Sequence, residues 1–200
     1  MEEKAINPAR RIVLGSTSPY RKALLNRLKI PFVTAAPDID ESPLPNESPR
    51  AMVLRLTEAK AREIAKIEQD ALIIAGDQVA VCGDLVFGKP GDRATAIGQL
   101  QQASGRALVF ETGLCVLDSA ANTLEIEVVP FTVLFRTLTL DQIEWYLDKE
   151  DALNCAGSFR SEGLGISLCE RLEGEDPSTL IGLPLIRLTR MLERSGVRVV

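Results

Sequence analysis

Asp77 closes a wholly apolar run, Ala71-Leu-Ile-Ile-Ala75, and is followed by Gln78 and Val79. Five apolar residues between charged segments are too short for a typical helix and read as a central strand covered on both faces. Ligands gather where such strands end in open α/β sheets. A carboxylate placed there costs stability unless it is hydrated, hydrogen-bonded or paired with a cation, so its presence argues for chemistry. The alternative reading is an Asp that caps a turn. The sequence has no histidine, which removes Ser-His-Asp and Cys-His catalysis, histidine phosphotransfer and His-based metal sites. Acid–base work falls to Asp or Glu, with Lys, Tyr or a metal-bound water as the other options.

A second group of residues points to an anion. Arg11 to Ser16 reads as a first strand, Gly15-Ser-Thr-Ser18 supplies small residues, and Ser18-Pro19 opens a helix. Ser can cap that helix and Pro fits its first turn. Free backbone N–H groups at such a strand–turn–helix junction favour phosphate. Arg21 lies in the first turn and adds a charged fork. Lys60 sits among small residues of a second helix, and Lys89 is held between Gly88 and Pro90 in a turn. Alone, each of these charges reads more simply as solvated surface.

The elements that must carry these groups follow from periodicity and breakers. Ile30 to Ala36 reads as a second strand running into the acidic turn Asp38-Ile-Asp-Glu41, whose Asp38 and Asp40 also suit loop caps. The Pro-rich stretch Pro37 to Pro49 reads as a lid or cleft wall. Ser48-Pro49 opens the second helix, with Met52, Val53, Leu56 and Ile64 on its buried side. Asp92 starts a third helix with Ala94, Ile97 and Leu100 inward, and Gly105 ends it. Ala107 to Leu117 and Leu124 to Phe135 form a long hairpin, read as structural. Thr139-x-x-Gln142 is a capping box before Ile143, Tyr146 and Leu147. Trp145 and Tyr146 on that helix suit core or dimer packing better than base stacking. The glycine-rich loop Ala156 to Gly165 lets backbone approach a ligand, and Gly182-Leu-Pro-Leu precedes a last helix burying Leu188, Met191 and Leu192.

Two hundred residues, 46% hydrophobic and 26% charged, suit one domain over 1–200 with two lobes around a cleft. A net charge of −5 without any dense Lys/Arg run disfavours polymeric nucleic acid and anionic membranes as partners. Met1 to Pro8 lacks the apolar centre of a signal peptide and no run is long enough to cross a bilayer, so a cytoplasmic location is expected. Cys82, Cys115, Cys155 and Cys169 are scattered, which argues against a zinc site and suits reduced, packed thiols.

Taken in order, Ser16-Thr-Ser-Pro-Tyr-Arg21, Asp40-Glu41, Lys60 in Glu-Ala-Lys-Ala, Gly76-Asp-Gln-Val79 and Gly88-Lys-Pro90 resemble the Maf family of nucleotide pyrophosphatases, from about residue 11 to the Gly-Leu-Pro-Leu segment. The resemblance implies a Maf/ITPase-like two-lobed α/β fold with an elongated mixed sheet flanked by helices. It further implies a nucleotide substrate in the cleft, house-cleaning hydrolysis between the α and β phosphates, and a nucleoside monophosphate and pyrophosphate as products. Carried onto this chain, Asp77 accepts the proton of the attacking water, Ser16, Arg21, Lys60 and Lys89 hold phosphate, and Asp77 and Glu41 stand by a divalent ion, Mg²⁺ or Mn²⁺. A homodimer is implied as well.

Within the family, Cys155-Ala-Gly-Ser-Phe-Arg-Ser-Glu-Gly163 and Gly76-Asp-Gln-Val79 resemble the branch that hydrolyses 7-methyl-GTP, with Tyr20, Gln78 and Glu162 as its specificity positions. N7 methylation makes guanine cationic, which an aromatic face and a carboxylate can select. The branch commonly has Trp where this chain has Tyr20, and many members carry a His in the strand after Gly105-Arg106, where this chain has none. Two alternatives stay open: a dTTP/UTP pyrophosphatase, expected to have Arg at position 20, and a low-turnover nucleotide-binding regulator linked to cell division.

Overall fold

The apolar run Ala71–Ala75 forms a strand, β3, in which every residue is buried. In this computed structural model, which describes residues 10–200, β3 is parallel to β1 (Arg11–Gly15), and β1 is parallel to the short edge strand β2 (Val33–Ala35). The remaining pairings are antiparallel, so the sheet is mixed. Side chains alternate along β3 as strand geometry requires. Leu72 and Ile74 join Ile12, Leu14 and Leu24 on one face, whereas Ile73 and Ala75 join Val13, Ala61 and Ile64 on the other. Helices α1 (Pro19–Leu25) and α6 (Leu185–Arg194) cover the first face, and α2 (Pro49–Ala65) covers the second.

The sheet is organised by one long hairpin, β6 (Ala107–Asp118) and β7 (Thr123–Phe135). Along the edge of β6 opposite β7, two strands lie end to end in one register. β3 pairs from Leu72↔Asp118 to Ala75↔Cys115, and β4 (Gln78–Cys82) resumes at Gln78↔Thr112. The break between them is Gly76-Asp77. Beyond this line, β1 lies beside β3 and β5 (Leu85–Phe87) beside β4. The two do not meet, so a gap faces the break. Ser16 leaves the end of β1 and Gly88-Lys89 leaves the end of β5, so both turns converge on Asp77. β8 (Cys169–Glu173) extends the sheet beyond β7.

The β4–β8 half packs its own core against α3 (Arg93–Ala103) and α4 (Leu140–Lys149), with Phe110, Phe131, Phe135, Tyr146 and Phe159 at its centre. Helix starts follow the capping logic of the sequence. Ser18 Oγ accepts from Arg21 N at 3.3 Å and Ser48 Oγ from Ala51 N at 3.2 Å. Asp92 Oδ1 accepts from Thr95 N at 2.9 Å, and Thr139 and Gln142 form the reciprocal box.

Several expectations need correction. The second strand covers only Val33–Ala35, because Pro31 interrupts the run before it. Ala94 is exposed, and Ala96, Leu100 and Ala103 form the inward stripe of α3. Met52 is half-buried rather than central. Tyr146 is core, whereas its neighbour Trp145 is 62% exposed. The β6–β7 hairpin is more than structural, since Thr112 and Gly113 reach the site. Strands β4, β5 and β8 and the short α5 (Ser178–Ile181) went unread. No helix among the described residues is long and apolar enough to cross a membrane; the Met1 to Pro8 expectation lies outside those residues.

Candidate active site

The break in the β3–β4 line fixes Asp77 by its backbone before its side chain does anything. Gly113 N donates to Asp77 O at 2.8 Å, and a Cβ on Gly76 would stand 2.5 Å from Gly113 O, so only glycine permits this approach. The Asp77 side chain is almost wholly enclosed, and Lys60 Nζ, from the buried face of α2, lies 2.6 Å from its Oδ1. The same ammonium lies 2.8 Å from Glu41 Oε1. Among the described residues nothing donates to Asp77 Oδ2, and that atom is not sealed from the cleft. A buried carboxylate is thus stabilised by one cation while keeping a free oxygen as acceptor.

Arg21 is spent on architecture as well as charge. Its Nη1 donates to Gly76 O at 2.8 Å and its Nε to Gly182 O at 2.8 Å, which ties α1 to the break and to the turn before α6. Burial lowers its pKa from the ordinary value, while Asp77 and Glu41 oppose that shift. Gly182 adopts φ 107°, a left-handed backbone natural to glycine. Behind it, the buried Asp176 accepts from Ser178 N at 2.9 Å and Ile186 N at 2.8 Å, which holds the turn. Ser16 Oγ accepts from Ser18 N at 3.1 Å and Ser16 N donates to Leu14 O at 2.9 Å, so of the N–H groups expected to be free at this turn only that of Thr17 has no acceptor among the described residues.

Gln78 has a forced orientation. Its Nε2 donates to Thr179 O at 2.8 Å and to Thr112 Oγ1 at 2.8 Å, and Thr112 Oγ1 itself donates to Thr179 O at 3.2 Å. Two acceptors on that side leave no room for the reverse amide, so Oε1 is the atom left for a ligand.

Together these groups line a cleft with a cavity volume of about 410 Å³. Ser16, Tyr20, Arg21, Glu41, Lys60, Asp77, Gln78, Lys89 and Glu162 all lie on its wall. Lys89 is exposed and, among the described residues, has no carboxylate partner. Glu162 lies at the rim, where Arg160 Nε donates to its Oε1 at 3.4 Å. Tyr20 is half-buried beside Cys155; burial and Cys155 raise its pKa, and burial pushes the Cys155 thiol up to about 11. Both are therefore neutral near pH 7. Pro37 and Glu41 of the Pro-rich stretch line the wall. That stretch is tethered to α2 by Arg55, which donates to both Glu47 carboxylate oxygens at 2.7 Å and to Ser42 O at 3.1 Å.

For a divalent ion, Glu41 and Asp77 are the available donors; among the described residues no group of three or more His, Cys, Asp or Glu is clustered. Two carboxylates near one cation suit Mg²⁺ or Mn²⁺ when phosphate oxygens and water complete the shell. The residues present fit such an ion.

Sequence reading missed Arg55, Thr112, Glu150, Arg160 and Thr179. Arg160 was visible as the one cation within the glycine-rich loop. The others act through contacts 8 to 101 residues away in sequence, for which spacing gives no signal.

Two relatives are each named 7-methyl-GTP pyrophosphatase. That from Nitrosococcus oceani is 52% identical over 92% of this chain and 93% of its own. That from Alcanivorax borkumensis is 54% identical over 94% of this chain and 95% of its own. A solved structure of a HAM1 protein from Coxiella burnetii shows 19% identity and a TM-score of 0.48, covering 63% of this chain and 73% of that one; the fold class rests on the sheet topology instead. The family model described as Maf-like protein matches residues 11–195, and the chain belongs to that family.

Proposed function

We propose that this protein hydrolyses the α–β phosphoanhydride of 7-methyl-GTP, giving 7-methyl-GMP and pyrophosphate. The observation that carries the reading is the Lys60–Asp77 pair at the strand break, with a free carboxylate oxygen on a cleft lined by Arg21, Lys60 and Lys89. The substrate class is supported by the printed names of the two relatives.

In this reading Asp77 Oδ2 accepts the proton of a water whose oxygen adds to the α phosphorus. The P–O bond to the β phosphate breaks and pyrophosphate leaves with its electron pair. Lys60 holds Asp77 oriented, and Lys89, Arg21 and the Thr17 N–H stabilise charge as it moves onto the leaving group, the Ser16 and Ser18 N–H groups being taken up by Leu14 O and Ser16 Oγ. Pairing Glu41 with Lys60 draws the Pro-rich wall towards the phosphates. A Mg²⁺ or Mn²⁺ ion held by Asp77 and Glu41 would supply charge neutralisation and a more acidic water. At the other end, Tyr20 stacks on the base, Glu162 balances its positive charge, and Gln78 Oε1 accepts from a substrate N–H.

The reading includes one domain of two lobes and a cytoplasmic setting, which the four unpaired cysteines suit. It also includes a homodimer, supported by the exposed Leu140 and Trp145 on α4. The test is product analysis across the common ribo- and deoxyribonucleoside triphosphates and 7-methyl-GTP, with Mg²⁺, with Mn²⁺ and with chelator. Preferential, metal-dependent release of pyrophosphate from 7-methyl-GTP is expected. Preference for dTTP or UTP would overturn the roles given to Tyr20, Gln78 and Glu162, and binding without turnover would make the protein a regulator.

A further inference from the structure

Arg21 and Lys60 stand on helices, whereas Lys89 stands on a turn. Gly88 and Lys89 are exposed between the buried Phe87 and Pro90. What fixes their backbone is far away in sequence. Gly157 N donates to Gly88 O at 3.1 Å and Gly91 N donates to Leu153 O at 3.1 Å, so both ends of the turn are fastened to the glycine-rich loop and the segment just before it. The Gly88 carbonyl accepts a second bond, from Gln99 Nε2 of α3 at 3.3 Å, and Gln99 Oε1 accepts from Ser158 Oγ at 2.6 Å. A carbonyl can only accept, so the Gln99 amide has one possible orientation. Gln99 therefore clamps the Lys89 turn to the glycine-rich loop.

The two sides of this clamp are not equally free. Ser158 is wholly buried and holds a left-handed φ of 57°, a conformation that persists in a non-glycine residue where its surroundings impose it. Its carbonyl accepts from the Tyr146 hydroxyl at 3.2 Å, and the same hydroxyl accepts from Arg160 N at 3.0 Å. Glu150 accepts from Leu164 N at 2.7 Å and from Arg160 Nη1 at 2.6 Å. Gly157 lies against β4 and β6, where a Cβ would stand 3.2 Å from Ala80 Cβ and 3.0 Å from Leu108 Cδ2. The loop thus keeps its place without Gln99, whereas the Gly88 carbonyl would be left with the Gly157 bond alone. Losing the clamp loosens Lys89 rather than the loop.

We propose that Gln99 is a positioning residue that sets where the Lys89 ammonium stands at the phosphate end of the cleft. Gly88 and Lys89 line the cleft, and Gln99 stands behind them on α3, so it acts through the turn. The inference rests on the phosphate role given to Lys89 under the proposed function and adds the residue that holds it in place. A long side chain on a fixed turn loses less freedom when it meets its ligand than one on a loose turn, so more of its attraction appears as affinity.

The test is the dissociation constant for inorganic pyrophosphate, the leaving group, and for 7-methyl-GMP, measured by calorimetry at fixed Mg²⁺ in the wild type, Gln99→Leu, Lys89→Met and the double variant. Leu suits a half-buried helical position and removes both hydrogen bonds at similar size. Gln99→Leu is expected to weaken pyrophosphate about fivefold while changing 7-methyl-GMP by less than about twofold, and to have no further effect once Lys89 is replaced. Equal weakening of both ligands, or the same loss in the Lys89→Met background, marks a merely structural role and overturns the proposal. Should Gln99→Leu fail to fold, Ser158→Gly leaves the amide unanchored with a residue natural at φ 57°; it is expected to give the same selective loss, and its absence overturns the proposal. A wild type that binds no pyrophosphate, or a Lys89→Met protein that binds it equally well, would overturn the phosphate role of Lys89 and this inference with it. A loss in Lys89→Met that Gln99→Leu does not share would overturn this inference alone.

Discussion

Gly113→Ala tests whether the break in the β3–β4 line positions the chemistry. Gly113 does not have a positive φ, so the cost of a methyl there is steric. The added Cβ would stand 2.1 Å from Thr57 Oγ1 and 2.8 Å from Val53 Cγ1, both on α2. Thr57 is β-branched and has little torsional freedom in a helix, so α2 and β6 must part by roughly 1 Å to restore contact distance. Overpacking of this kind costs about 1–3 kcal/mol. The functional effect exceeds the stability effect, because Lys60 lies less than one turn after Thr57 and Gly113 N holds the Asp77 backbone. A displacement of about 1 Å between the two halves of the pair is expected to lower kcat by about 100-fold. Thr57 Oγ1 is buried without a hydrogen-bond partner, so Thr57→Ala alone costs little through hydrogen bonding. In the Gly113→Ala background it removes the worst clash and is expected to recover about 1 kcal/mol. Denaturant unfolding gives the stability arm of this double-mutant cycle, and pyrophosphate release gives the activity arm. A Gly113→Ala protein within about 0.5 kcal/mol and twofold of wild type in both assays would refute the reasoning.

Two further outcomes follow from single contacts. Arg55→Ala frees Glu47 and the Ser42 carbonyl from α2, so hydrogen exchange across 38–48 should rise and KM should increase about tenfold with a smaller change in kcat; unchanged exchange there would remove the tether from the account. Asp118 forms a two-point pair with Arg10 that holds its carboxyl well below the ordinary carboxylate range. Stability from a depressed pKa is complete above the unfolded value near 3.9 and falls away as pH drops through the folded value. Wild type should therefore lose up to about 1 kcal/mol relative to Asp118→Asn on going from pH 6 to pH 2, the amount limited by solvent screening; parallel acid limbs for the two proteins would contradict this.

What was legible in the sequence had local physical causes. The buried strand before Asp77, the capped helix starts and the capping box at Thr139 each rest on neighbouring residues, and each was found. The small-residue turn at Gly15–Ser18, between β1 and the capped start of α1, was read from the same local logic. What was not legible depends on strands far apart in sequence. Nothing local says that β3 and β4 share one register along β6, and that shared register is what makes Gly76-Asp77 a break rather than a loop. The short strands β4 and β5 were hidden because Val79 to Phe87 mixes apolar residues with Cys82-Gly83-Asp84, which reads as a turn. Ala94 was misplaced because α3 is weakly amphipathic, and two alanines two positions apart cannot be ranked by pattern alone. Arg160 and Glu150 were passed over because their roles arise only when the glycine-rich loop folds onto the end of α4.

The most direct measurement compares wild type with Asp77→Asn in single-turnover hydrolysis of 7-methyl-GTP, with nucleotide affinity determined in parallel. The account predicts that Asp77→Asn binds nucleotide within about tenfold of wild type and loses about 1,000-fold or more in the rate of pyrophosphate release. A variant that still turns over within about tenfold of wild type would show that Asp77 is not the proton acceptor, and the central claim would fail.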